Sequence, residues 1–277
     1  MTARGLAGIR GILDTSTDFR RLCPEEEAGS GTRPVMRPAG TYARSAPPQS
    51  PAGKHDVSLR EALADPRVRL GVGIAALLAT ASAVRPDRVG PGEARAFQAV
   101  NGLPDAVYPP AWVVMQLGAF GAVPAAAVTA ALAGDRELAG RLLVGGTGAW
   151  ALSKLVKQIV RRPRPTVLLP GTRGRGRDAA GLGYLSGHAA VAVALGAAAL
   201  PRLGPAGRAL TLTAIPLVGL TRVYVGAHLP LDIAGGVALG LAVEAAAALV
   251  KRSSCAAAGA RRASRAAPAA SRWPAGR

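Results

Sequence analysis

The stretch PLDIAGGVALGLAVEAAAALV, residues 230–250, contains two acidic residues and no basic residue. It has about the 20 residues that a helix needs to cross the hydrocarbon core of a bilayer. Its frequent Ala and Gly residues suit close approach between helices in lipid. We therefore predict a membrane-spanning helix here, and this prediction decides the fold class.

Similar apolar runs precede this stretch and are separated by short polar connections. They cover residues 70–84, 111–133, 138–160, 184–200 and 209–225. The first run has only about 15 residues, which is short for a span. Together the runs predict an all-α polytopic membrane protein with about six transmembrane helices in a bundle. A short interfacial helix is expected within residues 92–100.

Charge is concentrated outside these runs. The 277-residue chain has a net charge of +18 but only 4% aromatic residues, whereas nucleic-acid-binding domains usually combine a basic face with aromatics. Basic tails facing anionic lipid explain the charge better, so no nucleic-acid partner is expected. We predict a disordered basic cytoplasmic tail at 1–68, a transmembrane domain at 69–250 and a disordered basic tail at 251–277.

Lys and Arg in the flanks predict how the spans are oriented. If both tails are cytoplasmic, the connections at 134–138 and 201–208 are cytoplasmic as well. The connections at 85–110, 161–183 and 226–229 are then extracytoplasmic. The Arg-rich connection 161–183 violates the positive-inside tendency, and an anion-binding site would explain the violation.

The first polar cluster is KQIVRRPRP, residues 157–165, at the end of the third run. Lys157 lies in an apolar segment, where an ionisable side chain usually has a partner or a ligand. Lys157 is also near enough to the end of the run to extend to the interface, which is the alternative interpretation. Arg164 follows about two helical turns later, where Pro163 and Pro165 fix the exit of the chain.

The second cluster is YLSGH, residues 184–188, at the start of the fourth run. A helix N-terminus offers unpaired N–H groups and the positive end of the helix dipole, which suits phosphate. Ser186 adds a hydroxyl donor, Gly187 lets an anion approach the backbone, and His188 could donate a proton. The structural alternative is that Ser186 only caps the helix.

The third cluster is TRVYVGAHLPLD, residues 221–232. Arg222 lies in the last turns of the fifth run. His228 and Asp232 have the four-residue spacing of neighbours on one helix face. An Asp that accepts a hydrogen bond from one imidazole nitrogen leaves the other nitrogen free to attack. A purely structural His–Asp pair is the alternative.

The predicted topology assigns all three clusters to one membrane face. Cationic side chains, a helix N-terminus and two of the three histidines in the chain meet there. Positive groups that neutralise phosphate oxygens beside an in-line nucleophile are the outline of a phosphoryl-transfer site. A small transporter also shows ionisable residues in its spans, but its sites usually lie near the midplane of the bilayer.

These clusters resemble the motifs of the PAP2 (type 2 phosphatidic acid phosphatase) superfamily, in its bacterial membrane lipid phosphatase branch. The family carries Lys-x6-Arg-Pro, then Pro-Ser-Gly-His, then Ser-Arg-x5-His-x3-Asp, and the order and internal spacings match here. Leu185 stands where the family usually has proline, and Thr221 stands where it has serine. Neither difference removes a charged or nucleophilic group.

The resemblance implies a role for each matching residue. His228 would attack phosphorus and become phosphohistidine, Asp232 would orient it, and His188 would protonate the leaving alkoxide. The phosphate oxygens would be held by Lys157, Arg164, Arg222, Ser186 and the N–H of Gly187. The family needs no metal and no other cofactor. Five further arginines of the connection 161–183 match no motif, and a solvated loop is their plain interpretation: Arg161, Arg162, Arg173, Arg175 and Arg177. A further hypothesis is that some of them, with Arg173, Arg175 and Arg177 as the set to test, bind a second phosphate or a polar headgroup.

The resemblance also implies a function. We expect an integral plasma-membrane phosphatase that removes phosphate from a lipid monophosphate or diphosphate at the extracytoplasmic face. Phosphatidate, phosphatidylglycerol phosphate and polyprenyl phosphates or diphosphates are all candidate substrates. A phosphotransferase would differ only in its acceptor. Vanadium haloperoxidases bind vanadate with the same set of residues, but they are soluble. The oligomeric state is not predicted.

Overall fold

The structure, a computed structural model, describes residues 64–176 and 181–266. These residues form helices and connections, without a strand among them. The helices are α1 Pro66–Ala83, α2 Pro91–Asn101, α3 Tyr108–Gln116, α4 Ala122–Leu132, α5 Arg136–Val160, α6 Pro165–Leu168, α7 Gly187–Ala199, α8 Pro205–Tyr224 and α9 Pro230–Ala266, with 3-10 turns at Asp105–Val107 and Leu200–Arg202. Most of the predicted N-terminal tail, residues 1–63, lies outside the described residues.

Each predicted apolar run falls on a helix, but two boundaries differ. The run 111–133 is divided into α3 and α4, with a turn at residues 117–121. The last helix continues to Ala266, so residues 251–266 are helical where the sequence predicted disorder. Within the described ranges, Pro230–Gly259 is the one helix long and apolar enough to cross a membrane, and Ala122–Leu132 is a shorter apolar helix. The count of six spans therefore stays a prediction.

Local sequence signals set the helix starts. The carboxylate of Asp65 caps α1 by accepting from Arg67 N at 2.9 Å, and Asp135 caps α5 by accepting from Leu138 N at 2.8 Å. Proline opens α1, α8 and α9 at the first helical position, where a missing N–H costs nothing. These caps fix where each connection begins and so position the polar clusters.

Glycine allows α9 to pack closely against its neighbours. A side chain at Gly73 in α1 would lie 2.8 Å from the backbone nitrogen of Ala242. Side chains at Gly236 and Gly240 would collide with the carbonyl oxygens of Ser186 and Ala190 in and before α7. This contact between backbones is the packing expected of small residues in helix bundles.

Ion pairs join the connections at one end of the bundle. Arg202 pairs with Asp135 at 2.5 Å and with Glu137 at 3.0 Å, and Lys251 also pairs with Glu137. The connections 134–138 and 201–208 are therefore neighbours. Nearby, Glu244 is buried and pairs with Arg69 at 3.1 Å and with Arg141, which joins α1, α5 and α9.

Hydrogen bonds join the other connections at the opposite end. The side chain of Asn101 donates to the carbonyl oxygens of Arg173 and Tyr224, each at 2.9 Å, and accepts from Arg173 N at 2.9 Å. The end of α2, the connection before α7 and the end of α8 thus meet. The three polar clusters of the sequence all lie at this end.

Candidate active site

The end of α5 presents Lys157 to the segment before α7. Its ammonium group donates to the carbonyl oxygens of Leu182 at 3.1 Å and Gly183 at 2.9 Å. The side chain is therefore held inside the protein and does not extend away from it, contrary to the alternative interpretation. Arg161 ends the helix in the left-handed conformation, with φ of 52°, and turns the chain back toward the bundle.

Arg164 binds the chain segment that carries His228. Its Nη1 donates to the carbonyl oxygen of Ala227 at 2.8 Å. Burial lowers the pKa of Arg164 from its ordinary value, and the negative charge of Asp232 opposes this shift. A half-buried guanidinium that keeps its charge is suited to binding an anion.

Ser186 caps the N-terminus of α7, as the structural alternative for this residue predicted. Its hydroxyl oxygen accepts from Ala189 N at 3.4 Å, and the side chain is fully buried. The hydroxyl can still donate its own hydrogen, because accepting a bond does not use it. Next to it, a side chain at Gly187 would approach the Ser153 hydroxyl oxygen to 2.9 Å, so glycine keeps the first turn of α7 close to α5.

Arg222 lies in the last turn of α8 with an unsatisfied donor. Its Nη1 contacts the sulfur of Met115, and its Nε is buried without a hydrogen-bond partner among the described residues. A buried N–H that lacks a partner costs free energy. An anion bound beside Arg222 would satisfy this donor.

His228 and Asp232 face each other at the junction before α9. The distance between His228 Nδ1 and Asp232 Oδ2 is 3.6 Å, which is longer than a hydrogen bond. Asp232 Oδ2 accepts from Leu229 N at 2.8 Å, so the carboxylate is held in place. His228 Nδ1 has no hydrogen-bond partner among the described residues. Such pairs often shorten only when substrate binds.

The environment keeps His228 uncharged. Burial lowers its pKa well below the ordinary value, and the positive charges of Lys157, Arg222 and Arg164 lower it further. A neutral imidazole is the form that can act as a nucleophile. The charges of these cations therefore act on His228, and His188 adds to their effect.

Direct contacts therefore bring the three clusters together. Ser186 N donates to the carbonyl oxygen of Asp232 at 2.8 Å, which joins the second cluster to the third. Arg164 joins the first to the third through Ala227, and Lys157 joins the first to Gly183, the residue just before the second cluster. Residues that are widely separated in the chain form one site at one end of the bundle.

The sequence did not indicate which residues bind the carboxylate oxygen of Asp232 that faces away from His228. Arg162 is fully buried, although it was assigned no role and a solvated loop was the plain interpretation of its segment. Its Nη1 donates to Asp232 Oδ1 at 2.9 Å and to Glu93 Oε1 at 3.0 Å, and its Nη2 donates to Glu93 Oε2 at 2.6 Å. Glu93 Oε1 also accepts from Leu231 N at 3.0 Å.

These contacts keep Arg162 charged. Burial alone would lower the pKa of Arg162, but the hydrogen bond to Glu93 and the charge of Asp232 outweigh it, and the pKa is raised. Asp232 is thus held between His228 on one side and the Arg162–Glu93 pair on the other. The only local signal was an acidic residue in the predicted interfacial helix, and nothing in the sequence linked it to Asp232.

The hypothesis of a second phosphate site fails for Arg175. Its guanidinium donates to the carbonyl oxygens of Asn101, Leu103 and Tyr224 at 2.8 Å each and pairs with Asp105, and it stacks over the Tyr224 ring at 4.2 Å. Each of its three guanidinium nitrogens therefore donates to a neighbouring group of the protein. Arg173 is exposed, and Arg177 lies outside the part of the chain that the structure describes.

The sequence and the fold are similar to those of known proteins. Residues 138–254 match the PAP2 superfamily. A decaprenylphosphoryl-5-phosphoribose phosphatase of Mycobacterium tuberculosis is 37% identical over 106 residues, which cover 37% of this chain. The chain spans 57% of the length of that relative.

Two solved structures share the fold. LpxE of Aquifex aeolicus superposes with a TM-score of 0.51 at 19% identity, over 55% of this chain and 92% of that one. A transmembrane PAP2-type phosphatidylglycerolphosphate phosphatase from Bacillus subtilis gives 0.51 at 20% identity, over 67% and 96%. The residues 138–254 that match the PAP2 superfamily contain all three clusters.

Proposed function

We propose that this protein is an integral-membrane phosphatase that hydrolyses a lipid phosphate through a phosphohistidine intermediate. The observation that carries the proposal is the position of His228, which is buried and neutral, next to Asp232 and near the cations Lys157, Arg164 and Arg222. Fixed positive charges next to an uncharged nucleophile stabilise the charge that develops in phosphoryl transfer.

The proposed reaction gives the two histidines the roles that their motif positions imply. His228 Nδ1 faces Asp232, so Nε2 attacks phosphorus while the bond from phosphorus to the leaving oxygen breaks. His188 gives its proton to that oxygen and releases the alcohol. A water molecule then loses a proton to His188 and attacks the phosphohistidine. The phosphorus–nitrogen bond breaks, inorganic phosphate leaves, and both histidines return to their starting states.

Two groups of donors would hold the phosphate. Lys157, Arg164 and Arg222, whose charges act on His228, would bind its oxygens, and the unpartnered Nε of Arg222 would supply one donor. The N-terminus of α7 adds the Gly187 N–H and the Ser186 hydroxyl. No step in this sequence needs a metal ion, and we therefore expect none to be required.

A membrane location is supported by the outer surface of the helices. Large apolar side chains face outward, including Leu132, which is 84% exposed, Leu210 at 72% and Ile159 at 71%. Surfaces of this kind mark contact with lipid or with another protein. We propose that six helical segments cross the plasma membrane, with α3 and α4 as one of them, and that the site opens at the extracytoplasmic face.

The name of the relative and the proposed location support a substrate class. The mycobacterial relative is named for a phosphate on a polyprenyl-linked sugar. We propose a phosphomonoester or diphosphate on a long-chain lipid, with polyprenyl phosphates as the first candidates and phosphatidate and phosphatidylglycerol phosphate as the others. A site near the bilayer surface would let such a lipid present its phosphate without leaving the membrane.

The test is phosphate release by the purified chain in detergent, with EDTA present throughout. The panel contains phosphatidate, phosphatidylglycerol phosphate, and a polyprenyl monophosphate and diphosphate. We expect release from at least one lipid, no release by His228→Ala, and unchanged release by the matched control His55→Ala, which alters the one histidine outside the clusters. Release that survives His228→Ala, or that EDTA abolishes, would contradict the mechanism.

A further inference from the structure

An apolar groove of about 830 Å³ runs along the bundle beside the candidate site. Its walls are formed by the end of α3 with α4, by the start of α5, and by α7 and α8. It is lined mostly by alanine and leucine, with no ionisable side chain. A groove with this lining cannot bind a charged or strongly polar group without a large desolvation cost. Its natural occupant is an apolar chain.

The helix register connects this groove to the residues proposed to hold phosphate. On α7, Ala192 lines the groove and lies four residues after His188. On α8, Val218 lines the groove and lies four residues before Arg222. Residues four apart share a helix face. The two faces that carry His188 and Arg222 therefore continue directly into the floor of the groove.

The break between α3 and α4 lies where the groove and the site meet. A side chain at Gly118 would collide with the carbonyl oxygen of His188 and would lie 2.7 Å from Val218 Cγ1. Gln116 and Leu117, just before this glycine, line the groove. The groove extends from here to Leu210, and the 12 residues of α8 between Arg222 and Leu210 span roughly 18 Å.

We propose that this groove binds the apolar chain of the substrate whose phosphate lies near His188 and Arg222. The inference rests on the proposed function and adds to it a binding site for a long lipid chain between α4 and α8. The shared helix faces favour this occupant over bulk bilayer lipid or a second copy of the protein, because neither of those needs a groove that ends at the phosphate.

Photolabelling tests occupancy without depending on turnover. The probe is a long-chain alkyl phosphate with a diazirine at mid-chain, and the control is the alcohol that lacks the phosphate. We expect the phosphate probe to label peptides containing Ala125 or Ala214, and the alcohol to label them at least about tenfold less. Equal labelling by both probes would show that ordinary lipid fills the groove, and crosslinks between two chains would show a protein interface. Either result would overturn the proposal.

Filling the groove tests its role in specificity. Ala125→Phe on α4 and Ala214→Phe on α8 place a ring in the groove, and the matched control Ala131→Phe places one on the exposed part of α4 outside it. We expect the two groove variants to raise KM for a polyprenyl phosphate about tenfold, because blocking the burial of two methylene groups changes affinity by roughly that factor. KM for a short water-soluble phosphate should not change.

The two proposals fail in different ways. If the unaltered chain hydrolyses neither substrate, the proposed phosphatase function fails, and the photolabelling pattern still reports on the groove. If it hydrolyses both and the groove variants change both KM values equally, or neither of them, the groove proposal fails and the phosphatase stands.

Discussion

Arg162 Nη1 donates a 2.9 Å hydrogen bond to Asp232 Oδ1, while the other carboxylate oxygen of Asp232 faces His228 Nδ1 at 3.6 Å. The residue that orients the proposed nucleophile is therefore itself oriented by a buried arginine. Arg162 also binds Glu93 through both of its terminal nitrogens, and Glu93 accepts from Leu231 N, so α2 is joined to the start of α9 both through Arg162 and directly.

Arg162→Leu should destabilise the protein by about 3–5 kcal/mol, the usual cost of leaving a buried carboxylate without its partner. The measurement is equilibrium unfolding in mixed detergent, followed by circular dichroism. Arg95→Leu is the matched control, because Arg95 is an exposed residue on the same helix as Glu93. A similar, small change in both variants would show that the Arg162 ion pairs contribute little to stability.

His188→Ala should have an effect that depends on the leaving group. With an alkyl or polyprenyl phosphate the leaving oxygen needs a proton, so kcat should fall by about 10²-fold or more. With nitrophenyl phosphate the leaving group departs as a stable anion, and kcat should fall much less. The measurement compares kcat for both substrates in both proteins. An equal loss on the two substrates would assign His188 to phosphate binding instead of proton donation.

Gly236→Ala should lower both stability and turnover. The added methyl group collides with the carbonyl oxygen of Ser186 and would push α9 away from α7, and overpacking of this kind costs about 1–3 kcal/mol. Asp232 lies one turn earlier on α9 and would move as well. Gly71→Ala is the matched control: nothing lies near its methyl group, and alanine favours a helix by up to about 1 kcal/mol. Thermal unfolding and kcat report both effects.

Arg175→Gln should destabilise the protein without changing its preference between monophosphate and diphosphate. Its guanidinium binds three carbonyl oxygens and stacks on Tyr224, and glutamine replaces neither role. The measurements are thermal unfolding and the ratio of KM values for the two substrates. Arg173→Gln, at an exposed neighbour, should leave stability unchanged. A KM ratio that shifts in Arg175→Gln would restore the second phosphate site.

The parts of the site that could be predicted are those encoded over short distances. Lys157 and Arg164 lie within one cluster, and His228 and Asp232 lie within another, so their spacings can be read from the sequence. Ser186 was recognised as a candidate cap because it stands at the start of an apolar run. Proline and glycine marked the helix starts for the same reason, since their effect on the backbone is local.

The missed parts depend on contacts between distant residues. Glu93 and Arg162 are 69 positions apart, and nothing near either residue indicates the other. The break between α3 and α4 lies within one continuous apolar run, so hydropathy could not indicate it. It depends on the close packing of Gly118 against His188, which is distant in the chain. Arg175 carries the same charge as a phosphate-binding arginine, and only its carbonyl partners distinguish the two roles.

The pairing of Glu244 with Arg69 and Arg141 has a practical consequence for expressing shortened versions of this protein. The family match begins at residue 138. Upstream of it, Arg69 on α1 pairs with Glu244, and Glu93 on α2 pairs with Arg162. Both Glu244 and Arg162 are buried within the matched part. A fragment cut to the family boundary would leave Glu244 with one cation and Arg162 with one carboxylate. We therefore expect the smallest version that folds stably to start before Pro66, well upstream of residue 138, where the family match begins.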